Sequence, residues 1–231
     1  MNLLSQLRDL SEILLPRRCH ICDCTLAESE QYICTSCLSK LPRTLYHRRP
    51  GNPMEMRFAG LFPFERATGY FHYSRYSDIA VLIQDFKYRK FRDLGRWLGA
   101  TVATELYTTG FLSDIDCIVP IPMHYLKKAR RGYNPPEQIA IGISRVTDIP
   151  VCNALRARRS HRTQTRLSFE ERRINVDDIF QVTDPHDLDN KHILLLDDIC
   201  TTGATLSSAA ETILTSVPTA RLSLFTLCVT F

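Results

Sequence analysis

The sequence predicts a soluble α/β protein in which helices flank a parallel β-sheet and a small cysteine-rich module precedes the sheet. Two observations carry this prediction. Beyond residue 51, short apolar runs alternate with segments of helical periodicity, and this order is typical of parallel sheets with helices on both faces. Near the N-terminus, five of the nine cysteines crowd into 19 residues, so that segment requires a separate explanation.

The composition excludes several classes of protein. The chain of 231 residues is 44% hydrophobic and 23% charged, with a net charge of +4, which is close to the average of folded soluble proteins and unlike disordered or fibrous ones. The sequence contains no segment that approaches the roughly 20 apolar residues of a membrane helix. We therefore expect a cytoplasmic protein without membrane insertion.

Residues 3–15 repeat leucine at helical spacing, which predicts an amphipathic helix. Docking on its own domain or on a second copy is favoured over binding to a membrane surface, because the polar face carries little positive charge. Residues 48–53 concentrate breakers (Arg-Arg-Pro-Gly-Asn-Pro) and mark a linker. The predicted domains are therefore 1–50, the helix with the cysteine module, and 51–231, the α/β domain.

The elements of the second domain follow from apolar periodicity. The expected strands are 67–73, 115–119, 192–196 and 222–231, and the expected helices are 78–87, 94–106, 137–146 and 205–215. Together they predict a helix-covered sheet with its core on both faces.

Cys19-x-x-Cys22 and Cys34-x-x-Cys37 form two pairs that eleven residues separate. Four thiolates from two tight turns can converge as a tetrahedron around zinc, and such a closed shell is structural. Cys24 has the wrong spacing for either pair and is interpreted as a bystander. Free thiols or a redox pair are the alternative interpretations. The remaining cysteines are expected to be small buried hydrophobes of a reducing compartment: Cys117, Cys152, Cys200 and Cys228.

Residues 193–205 (Ile-Leu-Leu-Leu-Asp-Asp-Ile-Cys-Thr-Thr-Gly-Ala-Thr) join a buried strand, two acids and a turn into a helix. Backbone N–H groups and the positive helix end suit an anion there, and Gly203 permits close approach of a phosphate. Three threonines add hydroxyl donors: Thr201, Thr202 and Thr205. Asp197 and Asp198 would repel a phosphate unless they bind sugar hydroxyls or a divalent cation, so a phosphorylated ribose fits best. The alternative interpretation takes Asp198 as a helix-entry residue and the threonines as turn formers.

Three clusters of basic residues suit a polyphosphate or a nucleic-acid backbone. Their members are Lys87, Arg89, Lys90, Arg92 and Arg96; Lys127, Lys128, Arg130 and Arg131; and Arg156, Arg158, Arg159, Arg162, Arg166, Arg172 and Arg173. Among these charges, Tyr125, Tyr133 and Phe169 could stack on bases or belong to the core. The alternative for the clusters is an ordinary solvated surface.

The motif at 193–205 resembles the PRPP (5-phosphoribosyl 1-pyrophosphate) motif of type I phosphoribosyltransferases. Further motifs along the chain are Phe86-Lys87-Tyr88, Val119-Pro120-Ile121-Pro122, Arg131-Gly132-Tyr133-Asn134, Arg159, Gln164-x-x-Leu167, Glu171-Arg172-x-x-Asn175-Val176 and Phe180. With these motifs and the cysteine module, the chain as a whole is similar to the ComF family, with its GntX relatives, which joins an N-terminal zinc ribbon to such a domain. Two positions depart from the family pattern: Pro135 replaces a glutamine, and His161 stands where a threonine is expected.

The resemblance implies a set of PRPP contacts, with Mg²⁺ bound alongside. The ribose hydroxyls would contact Asp197 and Asp198. The 5-phosphate would contact the turn residues Thr201, Thr202, Gly203, Ala204 and Thr205. The pyrophosphate would contact Lys128 and Arg131. Residues 156–175 are candidates for a mobile cover of the site. The candidate contacts to phosphate or nucleic acid are Arg156, Arg158, Arg159, Arg162 and Arg166. Thr201 stands where purine-salvage enzymes of this fold carry an additional aspartate, so transfer to hypoxanthine or guanine is not expected.

The sequence supports three functions. The resemblance favours a PRPP-binding protein of the DNA-uptake (competence) apparatus that contacts single-stranded DNA, with other uptake proteins such as a helicase as candidate partners. The second function is that of an active phosphoribosyltransferase acting on an amine or a base. The third is that of a regulator that senses PRPP without turnover and binds a partner through the zinc ribbon. No catalytic residue is assigned, because an intact PRPP motif indicates binding and not turnover.

Overall fold

The computed structural model describes residues 16–89, 91–158 and 179–230. Its helices and strands in chain order are α1 (Thr35–Lys40), α2 (Pro53–Phe58), β1 (Arg66–His72), α3 (Asp78–Tyr88), α4 (Arg92–Thr108), β2 (Cys117–Pro120), α5 (Tyr125–Arg131), α6 (Pro135–Thr147), β3 (Leu155–Ala157), β4 (Phe180–Val182), β5 (His192–Cys200), α7 (Ala204–Ser216) and β6 (Arg221–Val229), with single 3-10 turns at Tyr46–Arg48 and Pro185–Leu188. The amphipathic helix predicted at 3–15 lies outside the described residues. Within them, none of the helices is both long and apolar enough to cross a membrane.

Four parallel strands form the central sheet in the order β1-β6-β5-β2, and β3 pairs with β4 in a separate antiparallel ribbon. The predicted α/β class with a parallel sheet is therefore confirmed. Successive strand residues point to opposite faces, and both faces are buried. Leu194 and Leu196 pack with α3, α4 and α6, whereas Ile193 and Leu195 pack with α2 and α7.

Strand β5 is longer than predicted. It runs to Cys200 instead of ending at residue 196, because Asp197 still pairs with Thr226 and Cys200 with Val229 of the neighbouring strand β6. The paired acids therefore lie within the last residues of the strand and not in the turn behind it. Their side chains leave the strand in opposite directions, and both reach the space at its carboxyl end.

The breaker-rich linker also contains more structure than predicted, because α2 begins directly at its end. The side-chain oxygen of Asn52 accepts hydrogen bonds from the backbone N–H groups of Met54 and Glu55, and Pro53 occupies the first helical position. Asparagine at a cap and proline at the first position both favour the start of a helix. The proposed domain boundary at residue 50 falls in the turn just before this cap and stays a prediction.

Helices α4 and α6 approach each other closely at two glycines. A Cβ atom on Gly99 would lie 2.2 Å from the carbonyl oxygen of Ile139, and one on Gly142 would lie 2.0 Å from that of Arg96. Only glycine permits this separation. The contact fixes the first turns of α4, which carry Arg92 and Arg96, against the rest of the domain.

The N-terminal module packs onto the face of the sheet that α3 and α4 cover. Cys19 and Ile33 belong to the same buried cluster as Phe86 of α3. His20 Nδ1 lies 2.6 Å from Asp85 Oδ2 in the last turn of that helix. The module therefore rests on the sheet domain through both apolar and polar contacts.

Candidate functional site

The acid pair lies at the carboxyl end of β5, which is the edge where parallel α/β sheets bind ligands. Asp198 is buried, and its Oδ1 accepts a hydrogen bond of 2.8 Å from Lys87 Nζ of α3. The backbone N–H of Asp198 donates to Asp197 Oδ1 at 2.8 Å. One lysine and one backbone dipole thus offset two adjacent carboxylates.

These compensations are not complete for Asp197. Removal from water and the negative charge of Asp198 raise the pKa of Asp197 to about 8, although the backbone N–H of Asp198 and the charge of Lys87 oppose the shift. The Asp197 carboxyl therefore carries a proton at neutral pH. A ligand that hydrogen-bonds to the ionised form would favour release of that proton.

The turn behind the acids exposes its hydroxyls and backbone to solvent. Thr201 and Thr202 are exposed, whereas Gly203 is buried and has a φ of +87°, in the left-handed region. A Cβ atom on Gly203 would lie 2.8 Å from the Phe58 ring of α2, so the position requires glycine on both counts. The first N–H groups of α7 follow immediately. This arrangement of turn and helix N-terminus suits a phosphate.

Arg57 of α2 supports the turn from below. Its Nη1 atom donates to the carbonyl oxygen of Thr201 at 2.6 Å and lies 3.3 Å from Cys200 Sγ, and its Nη2 atom donates to the carbonyl oxygen of Thr230 at 2.6 Å. The guanidinium thus ties the end of β5 to the end of β6. Sequence analysis missed this residue, because no element was predicted between the linker at 48–53 and the strand at 67–73.

A cavity of about 270 Å³ lies beside the acid pair, and we call it the acid-pair cavity. Its polar and charged lining residues include Lys87, Lys127, Arg131, Asn134, Asp197, Asp198 and Thr205, and its apolar ones include Ile121, Pro122, Ala157, Ile179 and Phe180. Of the predicted pyrophosphate contacts, Arg131 reaches the cavity. Lys128 instead contacts Glu137 Oε2 at 3.4 Å, and its neighbour Lys127 lines the cavity.

Asn134 stands in the cavity wall with an unused acceptor. Its Nδ2 atom donates to the Ile121 carbonyl oxygen at 2.9 Å, and its buried Oδ1 atom accepts no hydrogen bond from the described residues. A buried polar atom without a partner carries a free-energy cost. A ligand with an N–H or O–H group would remove that cost.

The predicted arginine-rich segment is only partly within the described residues. Arg156 is exposed on β3, and Arg158 Nε donates to Gln181 Oε1 at 2.9 Å. The other arginines of the cluster lie outside the described ranges: Arg159, Arg162, Arg166, Arg172 and Arg173. His161, Phe169 and the predicted cover from residue 159 onward also lie outside them. Their predicted roles stay predictions.

The structure shows which of the tyrosines and scattered cysteines are buried. Tyr133 is buried and its hydroxyl donates to the Phe86 carbonyl oxygen, so it belongs to the core, whereas Tyr125 is exposed. Of the scattered cysteines, Cys152 is half-buried and the others are buried: Cys117, Cys200 and Cys228.

The N-terminal cysteines form a group that could hold a metal ion. The sulfur atoms of Cys19, Cys22, Cys24 and Cys34 all lie within 4.8 Å of one another. Cys24 thus joins the group although its spacing indicated a bystander. The physical reason is a tight turn, in which Asp23 has a φ of +59° and the Cys19 N–H donates to the Cys24 carbonyl oxygen at 2.9 Å.

Cys37 lies next to this group. Its backbone N–H donates to Cys34 Sγ at 3.4 Å, and the Cys34 N–H donates to Cys19 Sγ at the same distance. Burial, followed by the neighbouring Cys22 and Cys34 thiols, raises the pKa of Cys37. At Cys19 burial opposes ionisation, but backbone N–H groups, first that of Cys22, lower its pKa to about 6. Thiolate character of this kind suits a metal ligand.

Comparison with known proteins adds a family and several relatives. Residues 97–229 match the phosphoribosyl transferase domain family. The chain is 31% identical over 142 residues to Competence protein F of Haemophilus influenzae, covering 58% of this chain and 60% of that protein. It is 25% identical over 219 residues to DNA utilization protein YhgH of Escherichia coli K12, covering 87% of this chain and 92% of the relative. The chain thus spans less than two thirds of the length of the first relative.

Two solved structures are also similar. One, described as the allosteric regulatory enzyme of purine biosynthesis, is 16% identical with a TM-score of 0.40, covering 58% of this chain and 25% of that one. The other is glutamine phosphoribosylpyrophosphate amidotransferase from B. subtilis in complex with ADP and GMP. It is 17% identical with a TM-score of 0.41, covering 58% of this chain and 26% of that one.

Proposed function

Because the chain belongs to the phosphoribosyl transferase domain family, we propose that it binds PRPP at the carboxyl end of β5 and serves DNA uptake in the cytoplasm, in contact with single-stranded DNA. The observation that carries the PRPP site is the convergence, at one sheet edge, of two carboxylates, an anion-binding turn and a cationic cavity wall. Similarity to a competence protein and to DNA utilization proteins supports the role in DNA uptake.

Each part of PRPP has chemically suitable residues. The turn from Thr201 to Thr205 binds the 5-phosphate through hydroxyls and the N–H groups of α7. Asp197 and Asp198 accept hydrogen bonds from the ribose hydroxyls. The pyrophosphate lies against Arg131 and Lys127, two cations of the cavity wall. Lys87 holds Asp198 in place and adds positive charge to the same wall.

The donor set also fits a magnesium ion carried with PRPP. Carboxylate, hydroxyl and phosphate oxygens are the ligands that Mg²⁺ prefers. When bound, the ion would neutralise part of the pyrophosphate charge. The cysteine group fits zinc in the same sense, since four sulfurs within 4.8 Å of one another can form a closed tetrahedral shell. We assign that zinc a structural role.

The test of the PRPP site is calorimetric titration with PRPP and Mg²⁺. Asp198→Asn is expected to weaken binding at least about tenfold, because hydrogen bonds to charged groups contribute about 1.5–3 kcal/mol. The matched control is Asp187→Asn, which makes the same change at an exposed position in the turn before β5. Unchanged PRPP affinity in Asp198→Asn would reject this assignment.

One observation favours catalytic transfer to an amine or a base as a second candidate. The acid-pair cavity has an apolar wall and the unused Oδ1 atom of Asn134, which together offer space and an acceptor for an N–H group. In such a transfer, the bond from ribose C1 to pyrophosphate oxygen breaks, a bond from C1 to nitrogen forms, and the nitrogen loses a proton. Acceptor-dependent release of pyrophosphate would establish this function. PRPP binding without such release would favour the sensor function.

A further inference from the structure

Two of the basic clusters, which lie about 30 residues apart in the sequence, form one open surface beside the acid-pair cavity. A depression of about 500 Å³ lies between residues 91–96 at the start of α4 and residues 129–133 at the end of α5, with Tyr32 of the N-terminal module in its wall. A second one of about 570 Å³ adjoins it. We call the two together the basic groove. The residues that line the second depression are Lys87, Tyr88, Leu126, Lys127, Arg130 and Arg131.

The basic groove continues into the acid-pair cavity. Arg130 and Arg131 line both depressions of the groove, and Arg131 also lines the acid-pair cavity together with Lys87 and Lys127. The three spaces are therefore neighbours that meet at Arg131. A series of adjoining spaces suits a chain of phosphates better than a single phosphate.

The charge of the groove is nearly all positive. Among the described residues, its lining contains one acid, Asp93, which contacts Arg96 at 3.1 Å, and six cations: Lys87, Arg92, Arg96, Lys127, Arg130 and Arg131. Among the described residues, no carboxylate forms an ion pair with Arg92, Arg130 or Arg131. Exposed cations that the protein itself leaves without an anion are the usual feature of a phosphate-binding surface.

The groove also presents aromatic rings next to these cations. Tyr88 and Phe91 are 67% and 42% exposed, so both rings are accessible to a ligand. The Arg131 guanidinium lies 5.2 Å from the centre of the Tyr88 ring, and the Phe91 ring contacts the edge of His20 at a centre distance of 4.8 Å. Exposed rings beside cations can stack bases that are not already paired in a duplex.

The cations are held in place before any ligand binds. Arg92 lies over the buried Tyr133 ring at 5.8 Å, and Arg96 Nε donates to the buried Gln138 Oε1 at 2.9 Å. The glycine contacts between α4 and α6 fix the helix that carries both arginines. Preorganisation of this kind reduces the entropy lost on binding.

We propose that the basic groove binds single-stranded nucleic acid, with phosphodiesters on Arg92, Arg96, Arg130 and Arg131 and bases stacked on Tyr88 and Phe91. The proposal rests on the proposed function for its DNA contact, and it locates that contact on α3 to α5 and not on the segment that contains Arg156 and Arg158. Because Arg131 lines both spaces, a bound strand lies directly beside bound PRPP.

The test compares the affinities for a strand and for PRPP in the same proteins. The strand probe is a labelled oligothymidylate of about 20 nucleotides, long enough to span several stacking sites, and its binding is followed by fluorescence anisotropy over a salt series. The variant is Arg92→Ala with Arg130→Ala. The matched control is Arg75→Ala with Arg145→Ala, which removes two exposed arginines outside the groove.

The groove variant is expected to bind the strand at least about tenfold more weakly, with a salt dependence reduced by about 1.4 in its logarithmic slope, because each lost phosphate contact removes about 0.7. Its PRPP affinity and that of the control should equal the wild-type value. Tyr88→Ala should weaken strand binding about fivefold or more through lost stacking.

Other outcomes would overturn the proposal in distinguishable ways. Wild-type strand affinity in the groove variant would reject the groove and leave the proposed function intact. Equal affinity for thymidine monophosphate, or equal competition by duplex DNA, would reject a single strand as the ligand. Failure of the wild-type protein to bind the strand at low salt would reject both the groove and the DNA contact of the proposed function, while PRPP titration would still report on the acid-pair cavity.

Discussion

The acid-pair cavity and the basic groove share three cations, but they differ in whether the protein itself compensates the charges that line them. In the cavity, the two carboxylates are adjacent in sequence, half-buried or buried, and compensated by Lys87, a backbone N–H group and a retained proton. In the groove, arginines from separate helices are largely exposed and, apart from Arg96, face no carboxylate of the described residues. The difference teaches that buried charge is balanced within the fold, whereas exposed charge is left for a ligand.

The largest effect that would sharpen this comparison is expected from the cysteine group, because the module that it holds together lines the groove and does not line the acid-pair cavity. Removing zinc with a chelator, or the change Cys19→Ser with Cys34→Ser, should lower Tm by about 10 °C or more. Structural zinc sites contribute several kcal/mol to folding, and a loss of 1 kcal/mol shifts Tm by about 2–4 °C in a chain of this size. Calorimetric unfolding with parallel metal analysis measures the effect.

Below that lowered Tm, strand affinity should fall, since Tyr32 of the module lines the groove and His20 contacts the ring of Phe91. PRPP affinity should persist. Cys152→Ser, a change at a half-buried thiol outside the group, is the matched control and should change neither Tm by this amount nor metal content. An equal loss of both affinities on chelation would show that the two regions act as one unit.

The fold was largely predictable because its signals are local. Apolar periodicity located the main strands and helices, and the contiguous run from Ile193 to Thr205 located the acids and the anion-binding turn. The errors arose where tertiary contacts override local signals. Strand β5 extends through two acids because β6 continues to pair with it, and α2 forms among breakers because Asn52 and Pro53 start a helix as readily as they break one.

An intermediate effect is expected from Arg57, which holds the turn of the proposed PRPP site through two carbonyl oxygens. Arg57→Ala should weaken PRPP binding about tenfold, because the loss of a charge-assisted hydrogen bond costs about 1.5–3 kcal/mol and part of that cost would appear in binding. Arg57→Lys should recover part of the affinity, since an ammonium can satisfy one of the two carbonyls. Strand affinity should not change, because Arg57 lies on the opposite side of the sheet from the groove.

Titration of both variants with PRPP, together with their unfolding temperatures, separates positioning from general destabilisation. Arg75→Ala serves as the matched control at an exposed site. Wild-type PRPP affinity in Arg57→Ala would mean that the turn keeps its shape without the guanidinium.

The candidate site was less predictable than the fold, because most of its contacts are distant in sequence. Lys87 and Asp198 are 111 residues apart, and no local pattern pairs them. Which lysine of α5 reaches the cavity depends on the rotation of this two-turn helix about its axis, and the sequence does not fix that rotation. The prediction named Lys128 as a pyrophosphate contact, whereas Lys127 lines the cavity wall. Cys24 was set aside by spacing, whereas a left-handed residue at Asp23 folds it back into the group.

The smallest effect concerns pH and applies to the cavity alone. The pKa of Asp197 is raised to about 8 by burial and by Asp198, so the fraction ionised grows about fivefold between pH 7 and pH 8. Since the ionised carboxylate is the better acceptor for a ribose hydroxyl, PRPP affinity should rise about fivefold over the same range. Calorimetric titration at the two pH values measures this change.

The same shift affects stability with the opposite sign. The folded pKa lies above the value of 3.8 for an ordinary aspartate, so the folded state binds the extra proton between about pH 4 and pH 8. The free energy of unfolding therefore contains a contribution that is complete below pH 4 and is lost as the pH rises from 4 through 8. Over that range, the free energy of unfolding falls by at most about 1.4 kcal/mol per pH unit.

Asp197→Asn should abolish both pH dependences, whereas Asp187→Asn should keep them, and strand affinity should remain flat from pH 7 to pH 8 because arginine does not titrate there. A strand affinity that followed the PRPP curve would place the proton of Asp197 in contact with the groove. A PRPP affinity that did not change with pH in the wild-type protein would instead mean that Lys87 keeps both acids ionised at pH 7. The charge of the cavity, like that of the groove, would then be constant over this pH range.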